Sequence, residues 1–139
     1  MKLCASDFPE VPFQLMHNVH LEEVEMINAI YDLIVEIEAG ANKSPVLTEK
    51  LDGLLTHTKE HFANEERLMQ EAHFPPYAMH KGAHDLFLSE FEAALADWRE
   101  SQTVGPIAMF LRLKLPRWMK DHIGSMDYVT AGFLAMHAK

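Results

Sequence analysis

His61 and Glu65 stand four residues apart within the run from Leu51 to Ala72, which reads as continuous helix. Residues at i and i+4 share a helical face, and the apolar residues on this face mark it as inward-facing. Directing an imidazole and a carboxylate together into a core is costly without a compensating partner, because an ionised carboxylate is rarely buried alone. His80 and His84 repeat the spacing one helix later. Two facing helices that each offer donors at this interval suit a metal held between them.

The elements that must position these groups follow from hydrophobic period and punctuation. Residues 1–16 hold Pro9 and Pro12 among Phe8, Val11 and Phe13, and read as an extended arm. A first helix is expected from about His17 to Ala39, with Val24, Ile27, Tyr31 and Ile34 on one face; the stripe extends backward to His20, and Gly40 ends the helix. Ser44 and Pro45 offer an N-cap hydroxyl and a first-turn proline to a second helix, which runs to about Ala72 and stops before Pro75 and Pro76. A third helix spans about Tyr77 to Glu100, with His80 and His84 in line with Phe87, Phe91, Leu95 and Trp98.

The fourth segment, opening near Pro106, is the least regular. Ile107, Phe110, Leu111 and Leu115 keep helical period, Pro116 should kink or interrupt the chain, and Trp118, Met119 and His122 resume the pattern. Phe133, Leu134 and Met136 are expected to pack a last turn onto the others. Four amphipathic segments on short connections imply an all-α, antiparallel up-down-up-down four-helix bundle with an extended N-terminal arm, forming one domain over residues 1–139.

Composition narrows the partners. Lys and Arg number 12 against 21 Asp and Glu, a net charge of −9, which disfavours nucleic acid or an anionic membrane as the main partner. Cys4 is the single cysteine, so one chain can build neither a disulfide nor a cysteine-based metal site. The N-terminus lacks a basic stretch followed by an apolar run, and no window resembles a membrane span. A cytoplasmic protein is expected.

The inward stripes collect His20, His61, Glu65, His80, His84 and His122, and Asp127 follows five residues after His122. Five imidazoles and two carboxylates exceed the four ligands of a tetrahedral zinc and suit two metal ions sharing carboxylates. The mixed nitrogen and oxygen set favours iron, manganese or zinc over calcium or magnesium. Asp127 fails the period: five residues turn about 140° around an ideal helix, so it reaches the others only if the backbone changes course near Gly124. His57, one turn before His61, sits at the edge of the same face, either supporting the site or exposed. His73 and His137 read as surface residues, and the methionines as core filler.

The order of these residues resembles the hemerythrin family in its single-domain bacterial form. His20 followed eight residues later by Asn28, the stretch His61-Phe-Ala-Asn-Glu-Glu-Arg-Leu-Met69, and Trp118-Met-Lys-Asp-His-Ile123 are similar to motifs of its first, second and fourth helices. The resemblance implies two iron ions in a non-haem di-iron centre. His80, His84 and His122 would hold one iron and His20 and His61 the other, with Glu65, Asp127 and an oxygen species bridging them. Dioxygen would bind at an open position on the second iron, in a pocket lined by Phe62, Trp118 and Met119. The resemblance also leaves room for a reductase as partner, and leaves the oligomeric state open with a monomer compatible.

Several positions depart from the family pattern. His17 replaces a common aspartate, Met119 a leucine over the oxygen pocket, and Phe8 a frequent tryptophan, while Pro116 lies just before the Trp118 motif. The function implied is reversible dioxygen binding for storage, delivery or buffering, by a protein that is not an enzyme. The alternatives are a di-iron redox enzyme acting on peroxide or nitric oxide, and an oxygen or redox sensor module. Neither the Glu-x-x-His pairs of ferritin-like di-iron proteins nor the His-Glu-x-x-His of metalloproteases occurs in the sequence.

Overall fold

Helix boundaries in this chain fall where the backbone ladder can be closed off. In the computed structural model, which describes residues 2–137, three regular helices come first: α1 (Gln14–Glu38), α2 (Ser44–Glu71) and α3 (Tyr77–Ser101). Gly40 ends α1 at φ 102°. Its N–H donates to the Ile37 carbonyl at 3.0 Å and that of Ala41 to Glu36 at 2.9 Å, which satisfies the last carbonyls of the helix. The same device closes α2, with His73 at φ 55° in the glycine's place; the Phe74 N–H reaches back to Met69 at 2.9 Å. His73 is exposed there, as is His137 near the C-terminus.

α1 begins three residues earlier than the spacing of its apolar stripe suggests. Pro12 lies outside it, and the first-turn N–H groups need no intrahelical partner, so the helix can open at Gln14. The arm before it holds a short 3₁₀ turn, Ala5–Asp7, and otherwise lies along the bundle. Leu3, Phe8 and Val11 are buried. Asn28 on α1 clasps the arm, accepting from the Leu3 N–H at 2.7 Å and donating to its carbonyl at 2.8 Å.

The fourth rod is a composite of α4 (Val104–Met109), a π-turn Phe110–Lys114, α5 (Leu115–His122), a second π-turn Ile123–Asp127, and α6 (Tyr128–His137). Pro116 was expected to kink or interrupt this rod; the first π-turn absorbs it and helix continues through. In that turn the Leu115 N–H bonds to the Phe110 carbonyl, five residues back. The Leu111 carbonyl would then look to residue 116, but a proline has no N–H to give. The Tyr31 hydroxyl of α1 donates to it instead, at 2.5 Å. Met136 was expected in the packed last turn but is 82% exposed, whereas Leu134 is buried.

The bundle divides along its length. Ile27, Ile30 and Ile34 of α1, Leu47, Leu51 and Leu54 of α2, Phe91, Leu95 and Trp98 of α3, and Ile107 and Leu111 of the fourth rod form a dry apolar half. Antiparallel packing brings these stretches to one end. The Trp98 indole N–H is satisfied by Thr48 at 2.9 Å. The other half carries the polar residues. No helix among the described residues is long and apolar enough to cross a membrane.

Burial pushes the Tyr31 phenol up to about 12, with Arg112 pulling slightly the other way. The folded state thus favours the protonated phenol, whose contribution is complete below the unfolded value of about 10 and fades as pH rises through the folded one. Tyr31→Phe, which leaves the Leu111 carbonyl without a donor, is expected to lower stability by about 1–3 kcal/mol at neutral pH. Denaturant titrations should show the difference from wild type shrinking between about pH 10 and about pH 12; equal stability at pH 7 would refute the role.

Candidate metal centre

The second half of the bundle buries ionisable groups that ordinarily lie in water. His20, His61, Glu65, His80, His84, His122 and Asp127 are all buried, between 0% and 6% exposed. α1 supplies His20, α2 the pair His61 and Glu65, α3 the pair His80 and His84, and the fourth rod His122 and Asp127. Potential ligand atoms of Glu65, His80, His84, His122 and Asp127 lie within 4.8 Å of one another, and so do those of His20, His61 and Glu65.

The second π-turn explains how Asp127 joins them. The Tyr128 N–H bonds to the Ile123 carbonyl, five residues back, so this turn holds one residue more than an α-turn. A five-residue step then brings Asp127 onto the face of His122, and the two side chains approach to 3.0 Å. Gly124 within the turn lets the arm come close: a β-carbon there would meet Pro9 Cγ at 3.3 Å.

All five imidazoles turn Nε2 inward. His20 Nε2 lies 3.0 Å from Asp127 Oδ2, while His80 and His122 approach Asp127 Oδ1 at 2.9 and 3.0 Å. His61 Nε2 is hydrogen-bonded to Glu65. Three of the rings are fixed from behind through Nδ1: His61 donates to Glu23 at 2.8 Å, His80 to Thr130 at 2.8 Å, and His84 to Glu66 at 3.0 Å. With Nδ1 held in this way, each ring presents Nε2 to the interior, where a metal displacing any Nε2 proton would take the lone pair, the arrangement that orients histidine ligands generally.

Charge runs the same way. Burial raises Glu23, but His61, His57 and His20 outweigh it and bring the carboxyl down to about 2. Burial likewise opposes ionisation of Asp127, yet hydrogen bonds from His122, His20 and His80 hold it well below the usual range. Glu65 is also lowered, with burial and Asp127 opposing and His61 and His84 prevailing. Burial lowers His122. Ionised carboxylates thus sit among imidazoles in the interior, with His80 and His122 only 3.1 Å apart through Nε2. Glu65 Oε1 and His84 Nε2 are buried without a hydrogen-bond partner among the described residues. Orphaned polar atoms, inward imidazole nitrogens and clustered buried carboxylates are the needs that bound cations would meet, and two irons fit this nitrogen and oxygen set.

The model of the hemerythrin HHE cation-binding domain matches residues 11–134. The chain belongs to the hemerythrin family. It is 32% identical to a bacteriohemerythrin of Aquifex aeolicus (strain VF5) over 116 residues, 84% of this chain and 85% of that one. A bacteriohemerythrin of Ralstonia nicotianae is 36% identical over 110 residues, 78% of this chain and 77% of the relative. The crystal structure of wild-type hemerythrin superposes with a TM-score of 0.80 over 97% of this chain and 98% of that chain, at 20% identity, a likeness of fold.

Of the residues expected to line an oxygen pocket in this hemerythrin, Phe62 stacks on His84 with ring centroids 3.8 Å apart, and Trp118 on His122 at 4.3 Å. Both cover the three-histidine side, with Phe62 also 5.4 Å from the His61 ring. Met119 is buried nearby in the chain. His57 faces Glu23 at 3.5 Å and Glu22 at 3.2 Å, so it braces the supporting carboxylate. His17 is half-buried one turn before His20.

Sequence reading missed Glu23, Glu66 and Thr130. Glu23 looks like one more acid in the run Glu22, Glu23, Glu25, and only its position three residues after His20 marks it as inward. Replacing Glu23 with Gln keeps the shape and removes the charge behind His61. Chelator competition should find metal held about 10–100-fold more weakly with unchanged far-ultraviolet circular dichroism; unaltered affinity would exclude a role for Glu23.

Proposed function

We propose that this protein binds dioxygen reversibly at a non-haem di-iron centre, serving oxygen storage, delivery or buffering. The observation that carries the reading is the unequal division of donors: Glu65, His80, His84, His122 and Asp127 converge on one side, and His20, His61 and Glu65 on the other, where Asp127 adds its second oxygen beside His20. A position with fewer protein donors has room for an exogenous ligand. In this reading His80, His84 and His122 would hold one iron and His20 and His61 the other, with Glu65 and Asp127 as carboxylate ligands shared between them. Two ferrous ions so held would supply electrons to dioxygen on binding and recover them on release.

The chain's own groups make that exchange reversible. Glu23, Glu66 and Thr130 keep imidazole lone pairs directed inward, while Asp127 reaches both sides through its two oxygens, at 3.0 Å from His20 and 2.9 Å from His80. Phe62, Trp118 and Met119 would supply apolar bulk that keeps water and protons away from the centre, Phe62 from beside both His84 and His61 and Trp118 from the face of His122. The buried site suits a small ligand and a binding protein better than an enzyme with a bulky substrate. A reductase would be needed to restore an oxidised centre. The free, exposed Cys4 accords with a reducing cytoplasm.

Anaerobic reduction of iron-quantified protein, followed by addition and removal of oxygen, tests the reading by visible absorption. Two irons per chain are expected, with a charge-transfer band that appears with oxygen and vanishes without it. Irreversible oxidation would favour the redox enzyme instead. Met119 offers a narrower check. A thioether is more flexible than the leucine it replaces, so Met119→Leu is expected to slow decay of the oxygenated form a few-fold. Equal or faster decay would refute the idea.

A further inference from the structure

A cleft between α1 and α2 runs from the surface to the side of the centre with fewer donors. It encloses about 240 Å³ and ends on His61 and Glu65, whereas a single water needs only about 10–15 Å³. Its lining grades from wet to dry. Leu15 and Arg67 are exposed at the rim, Val19 and Leu68 are half-buried in the walls, and Met16 is buried beside the two candidate ligands. These walls are mostly hydrocarbon, so a small neutral or weakly hydrated ligand crosses them without leaving polar groups unpaired.

A larger groove of about 310 Å³ touches the other side of the centre at His80. There the ring is met together with Thr130, which holds its Nδ1 edge at 2.8 Å. Neither Glu65 nor Asp127 lines that groove. It reaches the back of an imidazole, while the α1–α2 cleft reaches Glu65 together with His61, the ring hydrogen-bonded to it.

We infer that the α1–α2 cleft is the entrance by which a small exogenous ligand reaches the His20–His61–Glu65 side of the centre, with Val19 setting its width. The inference rests on the di-iron reading above. Val19 lies one residue before His20, so its side chain leaves the helix on the flank of the ligand-bearing face. Bulk at this position narrows the path without replacing any group that faces the metals.

Azide association with the diferric protein, followed by stopped-flow absorption, tests the entrance. Val19→Trp is expected to retain two irons and to slow association about tenfold or more, while Val129→Trp in the other groove changes it by less than about twofold. Wild-type rates in Val19→Trp would overturn the inference. Should that variant fail to take up iron, Val19→Phe is read by the same criterion. Crystals pressurised with xenon give a readout that needs no iron: xenon should sit against Met16, Val19 and Leu68 in the wild type, and its absence would overturn the entrance. Wild-type protein that holds xenon there but lacks two irons would defeat the di-iron reading and leave the cleft standing.

Discussion

Glu65 and Asp127 impose the constraint around which this bundle is built, because two ionised carboxylates lie 2% exposed in the interior of a small protein. Left alone, such charges would take up protons or water. Here each is surrounded by imidazoles from different helices: Asp127 meets His20, His80 and His122, and Glu65 meets His61 with His80 and His84 close by. Residues far apart in the chain are thereby tied to two side chains. Metals held by those carboxylates would join all four rods, and metal binding would then be thermodynamically linked to bundle integrity.

The cost of that polar half is met by the apolar half. Isoleucines and leucines of α1 and α2 pack against Phe91, Leu95 and Trp98 of α3, and these side chains are almost fully buried. Segregation also keeps each environment internally consistent. The dry half satisfies its few polar groups locally, as Trp98 does with Thr48 and Tyr31 with the Leu111 carbonyl. The wet-chemistry half orients its histidines through Glu23, Glu66 and Thr130.

The two π-turns of the fourth rod solve different problems with the same geometry. One accommodates Pro116 by shifting the ladder, and a tyrosine from α1 satisfies the carbonyl released. The other inserts the residue that rotates Asp127 onto the face of His122. The arm braces the second turn, since Pro9 packs where Gly124 has no side chain. Asn28 in turn fastens the arm to α1.

The sequence by itself determined the helices and most of the candidate centre, because both are written in short-range spacing. Apolar period, Gly40, Ser44 with Pro45, and the paired prolines at 75 and 76 mark the rods. The i,i+4 pairs His61 with Glu65 and His80 with His84 identify an inward polar face, and the surrounding motifs carry the family likeness. Tertiary structure decided what spacing cannot encode. Asp127 shares a face with His122 only because the backbone takes a π-turn, within which Gly124 leaves room for Pro9 of the arm. Glu23 supports His61 across 38 positions, and Thr130 supports His80 across 50. The cleft beside Val19 exists only once α1 lies against α2. Local periodicity reports which way a side chain points from its own helix; which group it meets there depends on how another helix is packed.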